Sequence, residues 1–426
     1  MTVRADGLQS PRRHTNRIYT LFEYNYIIFP LTLILTFYCL RKVIDTTGYY
    51  VEISEDGWTR SATIHAILTG IFLLLQLPPY ANTMGLCLPM RPLQYAKQPK
   101  RCRLGTLRVC LVTKGTNGQT ALNSARCWDL LSQRDHPSVR FHVLVDGERG
   151  EVFHQQLPSY VTVDQVPVDI PVKRAKYKAR ALEHFRLKYK FSKEDWVLHL
   201  DEESEVDDRT IRTVLDFIER GTEDFGMGTI IYNSTNHWKN VFLSTAEVVR
   251  MAEDYGRFQL PLRAFQRPLM GWVHGSWILI NGHVENTIGW DTDNVCEDYW
   301  LGYHAAAKGF KFGWLHALIR EQPPCTLADL WRQRRRWPLT GLFGMGAVVP
   351  LWYRDWLLWN DATSLHVLLS ACVLQDLSLT DQSVVSIVYH AVISVALWPA
   401  VHLVQIAALI SVIVNPSQGY VVIKKK

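Results

Sequence analysis

Four apolar runs, Tyr24–Leu40, Ala62–Tyr80, Ala362–Leu379 and Val384–Val414, constrain this 426-residue chain more than any single motif does. Each is long enough to form a helix that crosses a bilayer. The polar stretch between the second and third runs must then supply one soluble domain. Arg4, Arg12, Arg13 and Arg17 precede the first run, Arg91, Lys97, Lys100, Arg101 and Arg103 follow the second, and Lys424, Lys425 and Lys426 close the chain. The connecting loop carries Glu52, Glu55 and Asp56 with few cations. Basic flanks mark the cytosolic side of a span, so both tails and the soluble domain are expected in the cytosol. The first run lacks a small-residue cleavage site and reads as a retained anchor.

This gives a cytosolic N-terminal tail at 1–23, two transmembrane helices within 24–80, a soluble domain at 81–338, an interfacial amphipathic segment at 339–361, C-terminal transmembrane helices within 362–414 and a basic cytosolic tail at 415–426. Four crossings are favoured. The last run exceeds one span and contains Pro399, which leaves room for a kink or a re-entrant piece. Leu339–Trp359 mixes short apolar pieces with Trp352, Arg354, Trp356 and Trp359, the pattern of a helix lying on a membrane. The eight cysteines include no C-x-x-C pair, so neither a disulfide framework nor a zinc site is expected. The net charge of +6 is modest, and its clustering suits anionic lipid and phosphate better than nucleic acid.

From about Gly105 short β-rich runs alternate with helical ones, the order of a mostly parallel α/β sheet. Leu107–Thr113 is an expected strand that ends in Lys114-Gly115-Thr116-Asn117-Gly118. Val139–Val145 ends at Asp146-Gly147, and ligands of open α/β sheets gather at such carboxyl ends. Asp146 can accept from a nucleobase or ribose, although Asp-Gly is also an ordinary turn. Lys173–Lys190 reads as a basic helix, either a solvated face or, through Lys178 and Arg180, a guide for a diphosphate.

Strand Trp196–Leu200 opens directly onto Asp201-Glu202-Glu203-Ser204-Glu205. Asp201 and Glu203, two residues apart, can converge on a hard divalent cation, with Glu202 facing elsewhere. Oxygen donors favour Mg2+ or Mn2+ over Zn2+. Gly226–Tyr232 is the next strand, followed by the sequon Asn233-Ser234-Thr235. In His274-Gly275-Ser276-Trp277 small residues beside a Trp offer a sugar subsite or a packed strand end. Glu297 and Asp298 open a helix, where carboxylates favourably meet the dipole or supply a general base. In Trp331–Trp337 a helical spacing puts Gln333, Arg336 and Trp337 on one face as an amide, a forked cation and a flat ring. A basic juxtamembrane helix with Trp at the lipid boundary accounts for that heptad equally well.

In order, Asp146, Asp201-Glu202-Glu203, Glu297-Asp298 and Gln333-Arg334-Arg335-Arg336-Trp337 resemble the D, DxD, ED, QxxRW signature of membrane-bound family-two glycosyltransferases. The resemblance covers Leu107 to Trp337 and implies a GT-A-type, Rossmann-like fold and an inverting transfer. Lys178-Ala179-Arg180-Ala181-Leu182, Trp196 through Glu203, and Leu327 through Trp337 look like the egghead/BRE-3 group of β-1,4-mannosyltransferases, which extend glucosylceramide with GDP-mannose. Thr113 through Asn117, and Cys296 before the acidic pair, depart from that group.

The resemblance implies that Thr113, Lys114, Gly115 and Asp146 hold the nucleotide, and that Asp201 and Glu203 hold Mg2+ or Mn2+. Lys178, Arg180 and Arg336 would face the diphosphate, and Asp298, with Glu297 as the alternative, would be the base. Gly275, Ser276, Trp277, Gln333 and Trp337 would contact the acceptor, a membrane lipid in the ER/Golgi system. The rival readings are a processive polysaccharide synthase using a UDP-sugar, a dolichyl-phosphate sugar synthase and a non-catalytic membrane scaffold.

Overall fold

A computed structural model of the protein describes residues 16–47, 77–89, 104–132, 134–147, 150–234, 237–337, 354–379 and 382–415. Most of the expected second span, the first part of the expected interfacial segment (to residue 353) and the lysine tail lie outside them.

Helices α1 (Asn16–Thr47) and α2 (Leu77–Cys87) come before the sheet. The polar middle of the chain begins with β1 (Leu107–Thr113), α3 (Gly118–Arg126), β2 (Val139–Val145), α4 (Gly150–Gln156) and β3 (Val161–Gln165). It continues with α5 (Tyr177–Tyr189), β4 (Trp196–Asp201), α6 (Asp208–Arg220), β5 (Phe225–Ile231) and α7 (Val241–Glu253). A π-helical turn, Asp254–Gln259, leads into α8 (Leu260–Phe265). Then come β6 (Ile278–Asn281), α9 (Gly282–Ile288), α10 (Glu297–Ala307), β7 (Phe312–Arg320) and α11 (Leu327–Arg336), with α12 (Arg354–Leu377) and α13 (Val384–Val414) last.

Among the described residues the strands form one seven-stranded sheet in the order β3-β2-β1-β4-β6-β5-β7. β1 lies parallel to β2 and to β4, with Leu107 opposite Val139 and Val112 opposite Asp201. β6 is antiparallel to both β4 and β5, while β5 and β7 are parallel. The sheet is therefore the mostly parallel α/β arrangement expected for a GT-A-type domain.

Alternation along the strands explains why it is covered on both faces. Val109 and Leu111 of β1 join one core, with Phe141, Leu198, Leu200 and the α1 residues Ile18, Tyr19 and Phe22. Cys110 and Val112 join the other, with Leu144, Leu182, Phe185, Ile278 and Ile280.

Local chemistry sets several helix ends. Asp207 caps α6, its carboxylate accepting from Thr210 N, and Gly221 ends that helix at φ 60°. Thr326 caps α11 by accepting from Asp329 N, and Asn240 caps α7 by accepting from Leu243 N. α7 packs against α12 and α13, α11 packs against α13, and the π-turn packs against α2, so these segments form a layer between the sheet and the apolar helices.

Arg17–Val43 of α1 and Val384–Val414 of α13 are long and apolar enough to cross a membrane. The Pro399 run is one unbroken helix. α12 passes uninterrupted through position 361, where an element boundary was expected, and its apolar part, Ala362–Leu377, is shorter than the other two. Its polar residues turn inward: Asp376 is fully buried and accepts from Trp238 Nε1 at 3.0 Å, and the His390 ring lies 2.7 Å away. Asn233 is also fully buried, its side-chain amide donating to Gln375 O at 2.6 Å. The sequon asparagine is thus a strut between β5 and α12.

Candidate active site

The carboxyl ends of the parallel strands and the amino end of antiparallel β6 open at the same edge of the sheet. A cavity of about 850 Å3 lies there, lined by Thr113 at the end of β1, Asp146 beyond β2, Asp201 at the end of β4, Ser276 before β6 and Glu321 beyond β7. Between β1 and β4 the strand order reverses, the place where open α/β sheets hold ligands.

On the β1 side, Thr113 Oγ1 donates to Glu202 at 2.7 Å and accepts from Gly115 N at 2.9 Å. Asn117 Nδ2 donates to the same carboxylate. Gly115, at φ 77°, turns the chain away from β1 and is itself buried, so Thr113 and Lys114 face the cavity but Gly115 does not. Glu202 does not face elsewhere: it lines the cavity and clamps the β1 loop to β4. Burial, then the charge of Glu203, pushes its pKa up to about 7. Arg180 lines the wall and donates to Asp146 and to the carbonyls of Pro167 and Val168. It orients Asp146 while remaining on the wall of the cavity.

The centre of the cavity is acidic, and the half-buried Lys178 reaches into it. Lys178 Nζ donates to Asp201 and to Gly275 O and lies 3.8 Å from Glu297 Oε1. Burial opposes its charge, but Asp201 and Glu297 outweigh burial and raise its pKa. Glu297 and Asp298 stand in the first turn of α10, both with pKa raised by burial. Tyr299 N donates to Asp298 Oδ1 at 2.8 Å, which leaves Oδ2 facing Gly275. A Cβ added at Gly275 would come within 3.2 Å of that oxygen, so the glycine leaves room beside it.

Sequence reasoning missed Glu321. It is 4% exposed, lines the cavity, and accepts from the hydroxyls of Ser204, at 2.9 Å, and Ser276. Burial, then Glu203 and Asp201, pushes its pKa up to about 7. The signal was available: like Asp201, it is a carboxylate immediately after an apolar strand.

The fourth wall comes from α11. Gln333 and Arg336 face the cavity, but the helix ends at Arg336, and Trp337 follows at φ −117°, ψ 67° as its cap. The expected helical face thus holds for the amide and the cation. The ring reaches the cavity as the next residue and is held flat by the Arg250 guanidinium, 4.3 Å from its centroid. Arg334 points the other way and is 1% exposed, donating to Glu247 at 2.9 Å and Ala246 O at 3.2 Å. Arg250 donates to the other oxygen of Glu247 at 3.1 Å.

Gly275 and Ser276 line the cavity, but Trp277 does not. At φ 57° the chain turns its indole into the core against Gly228, fully buried, so Trp277 offers no sugar subsite.

Among the described residues no group of three or more His, Cys, Asp and Glu side chains is assembled to hold a metal ion. Asp201 and Glu203 nevertheless suit Mg2+ or Mn2+, which usually take one or two protein carboxylates and complete their shell with phosphate oxygens and water. Two of the cavity carboxyls, Glu202 and Glu321, have pKa values raised in part by Glu203, the mark of negative charge in excess of local cations.

A family model described as glycosyl transferase family group 2 matches residues 196–412, half of the chain, and the chain belongs to that family. The chain is also similar to two named relatives. Beta-1,4-mannosyltransferase egh of Drosophila melanogaster is 31% identical over 146 residues, 34% of this chain and 32% of that protein. Beta-1,4-mannosyltransferase bre-3 of Caenorhabditis elegans is 30% identical over 168 residues, 38% of this chain and 36% of that protein. The chain spans about a third of the length of each of these relatives. The solved mannosyltransferase PcManGT from Pyrobaculum calidifontis, in complex with GDP-Man and Mn2+, superposes with a TM-score of 0.46 at 13% identity, covering 82% of this chain and all of that one.

Proposed function

We propose that this protein is an inverting hexosyltransferase that moves mannose from GDP-mannose to the 4-hydroxyl of glucose on glucosylceramide, at the cytosolic face of an ER or Golgi membrane. The observation that carries the reading is the meeting of Asp201, Glu203, Asp298, Lys178 and Arg336 around one cavity at the carboxyl edge of the sheet. The relatives' names support mannosyl transfer, and the two span-length helices support a lipid acceptor.

In this reading Thr113, Lys114 and Asp146 contact the nucleoside, and Asp201 with Glu203 would hold Mg2+ or Mn2+. A bound divalent ion supplies charge neutralisation for the diphosphate. Asp298 Oδ2 accepts the proton of the acceptor hydroxyl while that oxygen attacks the anomeric carbon, and the bond to the diphosphate oxygen breaks with inversion. Lys178 and Arg336 offset the charge that grows on the leaving diphosphate. Trp337 presents its ring to the acceptor sugar, and Gln333 and Ser276 supply polar contacts. The catalytic domain, 81–338, and both tails lie in the cytosol.

Purified protein in lipid nanodiscs, given labelled GDP-mannose and glucosylceramide, is expected to yield a single β-1,4-linked mannosyl lipid. A long polymer from a UDP-sugar would establish the processive reading instead, and no transfer from any nucleotide sugar would leave a scaffold.

A further inference from the structure

We propose that the turn leaving α8, with Phe265, Leu269 and Met270 on its surface, is a lip that dips among bilayer lipids and holds the mouth of the cavity against the membrane. The proposal rests on the membrane setting of the function above and adds a lipid-contacting surface outside the span-length helices. It begins from depth. Asn25 of α1 donates to Leu86 O at 2.7 Å and to Leu88 O, and Arg263 of α8 donates to Pro89 O, so α8 meets the end of α2 at the level of Asn25. Gly85 of α2 lies so close to the backbone of Tyr255 that a Cβ there would collide, which fixes the π-turn and α8 to α2. At Asn25 the surroundings of α1 change. Ile18, Tyr19 and Phe22 before it are buried in the soluble domain. Beyond it Phe29 packs on His366 of α12, and Ile27, Leu31, Ile34, Leu35 and Tyr38 are exposed, as Tyr24 is, on a helix apolar enough for lipid. The lip therefore starts where α1 leaves the soluble domain.

The surface of the lip fits that depth. Phe265 is 74% exposed, Leu269 50% and Met270 68%, and the exposed Arg267 lies between them. Aromatic, aliphatic and basic side chains side by side are the composition of a segment lying in a membrane interface, and water alone disfavours it. The backbone presents them rigidly. Gln266, Met270 and Gly271 all have positive φ, at 52°, 53° and 81°, and Phe312 N donates to Gln266 O at 3.0 Å, tying the turn to β7. Met270 lines the cavity together with Trp272 and Val273, so the lip is also a wall of the mouth. A sugar carried on a lipid in the same leaflet then needs only to tilt to enter.

The test uses the full chain in phosphatidylcholine nanodiscs containing phosphatidylserine, with the photocrosslinker p-benzoylphenylalanine at position 269. Lipid adducts are expected there and not at position 152, an exposed site on α4 beside the opposite edge strand β3. Absence of adducts at 269, or equal yields at both positions, would overturn the lip. In parallel, Phe265→Ser/Leu269→Ser is expected to raise KM for glucosylceramide in vesicles by about tenfold while leaving KM for a water-soluble short-chain glucoside unchanged, because only the former depends on apolar contact with the bilayer. No change with either acceptor, or an equal change with both, would contradict it. If the unmutated protein transfers to neither glucoside, the proposed function fails and the crosslink alone decides the lip.

Discussion

The ammonium of Lys178 sits on the carboxylate of Asp201 and 3.8 Å from that of Glu297, so one cation joins the end of β4 to the first turn of α10. Removing it leaves two carboxylates facing each other around the place proposed for the diphosphate. Lys178→Met is expected to lower transfer by about 10²- to 10³-fold, the usual loss when a preorganised charge is deleted. Lys178→Arg should not restore it, because a planar fork cannot replace a point charge that contacts Asp201 and Gly275 O together. Steady-state rates of the two variants check this, and full activity in either would contradict it.

The pH dependence follows from Glu297 and Asp298, both raised by burial, with Glu297 pushed up to about 7. A general base acts only when ionised, so kcat/KM is expected to fall toward acid pH, with the limb displaced upward from the ordinary aspartate range because burial raises Asp298. The stability sign is opposite: a carboxyl with its folded pKa raised destabilises the fold while ionised, and that cost is relieved as pH falls through the folded pKa. A pH–rate profile of the unmutated protein checks the limb. An acid limb no higher than that of an ordinary aspartate would remove the pair from the chemistry.

Glu247, fully buried, receives Arg334 on one oxygen and Arg250 on the other, and Arg250 in turn carries Trp337 on its face. Glu247→Ala leaves the buried Arg334 guanidinium without its carboxylate and frees Arg250 at the cavity wall. A loss of about 3–5 kcal/mol is expected, read as a large drop in the unfolding midpoint in detergent. Replacing Glu247 with Gln should retain part of the stability, since hydrogen bonds remain. Unchanged unfolding in Glu247→Ala would mean that the network holds nothing in place.

The parts of the site legible in the sequence are those in which strand, turn and functional group are contiguous. An apolar strand running into Asp201-Glu202-Glu203 announces its own position, as do Glu297-Asp298 at a helix start and Gln333 through Trp337. What stayed hidden depends on partners far apart in the chain. Nothing near Arg180 says that Asp146 will take its guanidinium, and nothing near Arg250 says that Trp337, just beyond α11, will lie on it. Trp277 misled for a different reason: a positive φ, invisible in its neighbours, turns the indole into the core. The α/β class was legible throughout, because buried parallel strands write continuous Val, Ile and Leu runs. The extent of α12 was not, because its polar residues are satisfied by the soluble domain and not by water.

Asn233 donates to Gln375 O and to Ser378 Oγ from a fully buried position. Digestion with an N-glycosidase is therefore expected to leave electrophoretic mobility unchanged. Asn233→Ala should destabilise the protein by about 1–3 kcal/mol, because it leaves buried acceptors without their donor. A glycan on Asn233 would place the loop in the lumen and reverse the proposed topology.

In the proposed reaction Asp298 takes the proton of the acceptor hydroxyl, while Asp146, Asp201 and Glu203 hold the donor in the same cavity. The most direct measurement compares Asp298→Asn with the unmutated protein in single-turnover transfer from GDP-mannose to glucosylceramide, with GDP-mannose affinity determined on the same preparations. A rate lowered by about 10² to 10⁴ with affinity unchanged is the predicted result. Near-normal transfer by Asp298→Asn, or a loss explained entirely by weaker donor binding, would contradict it.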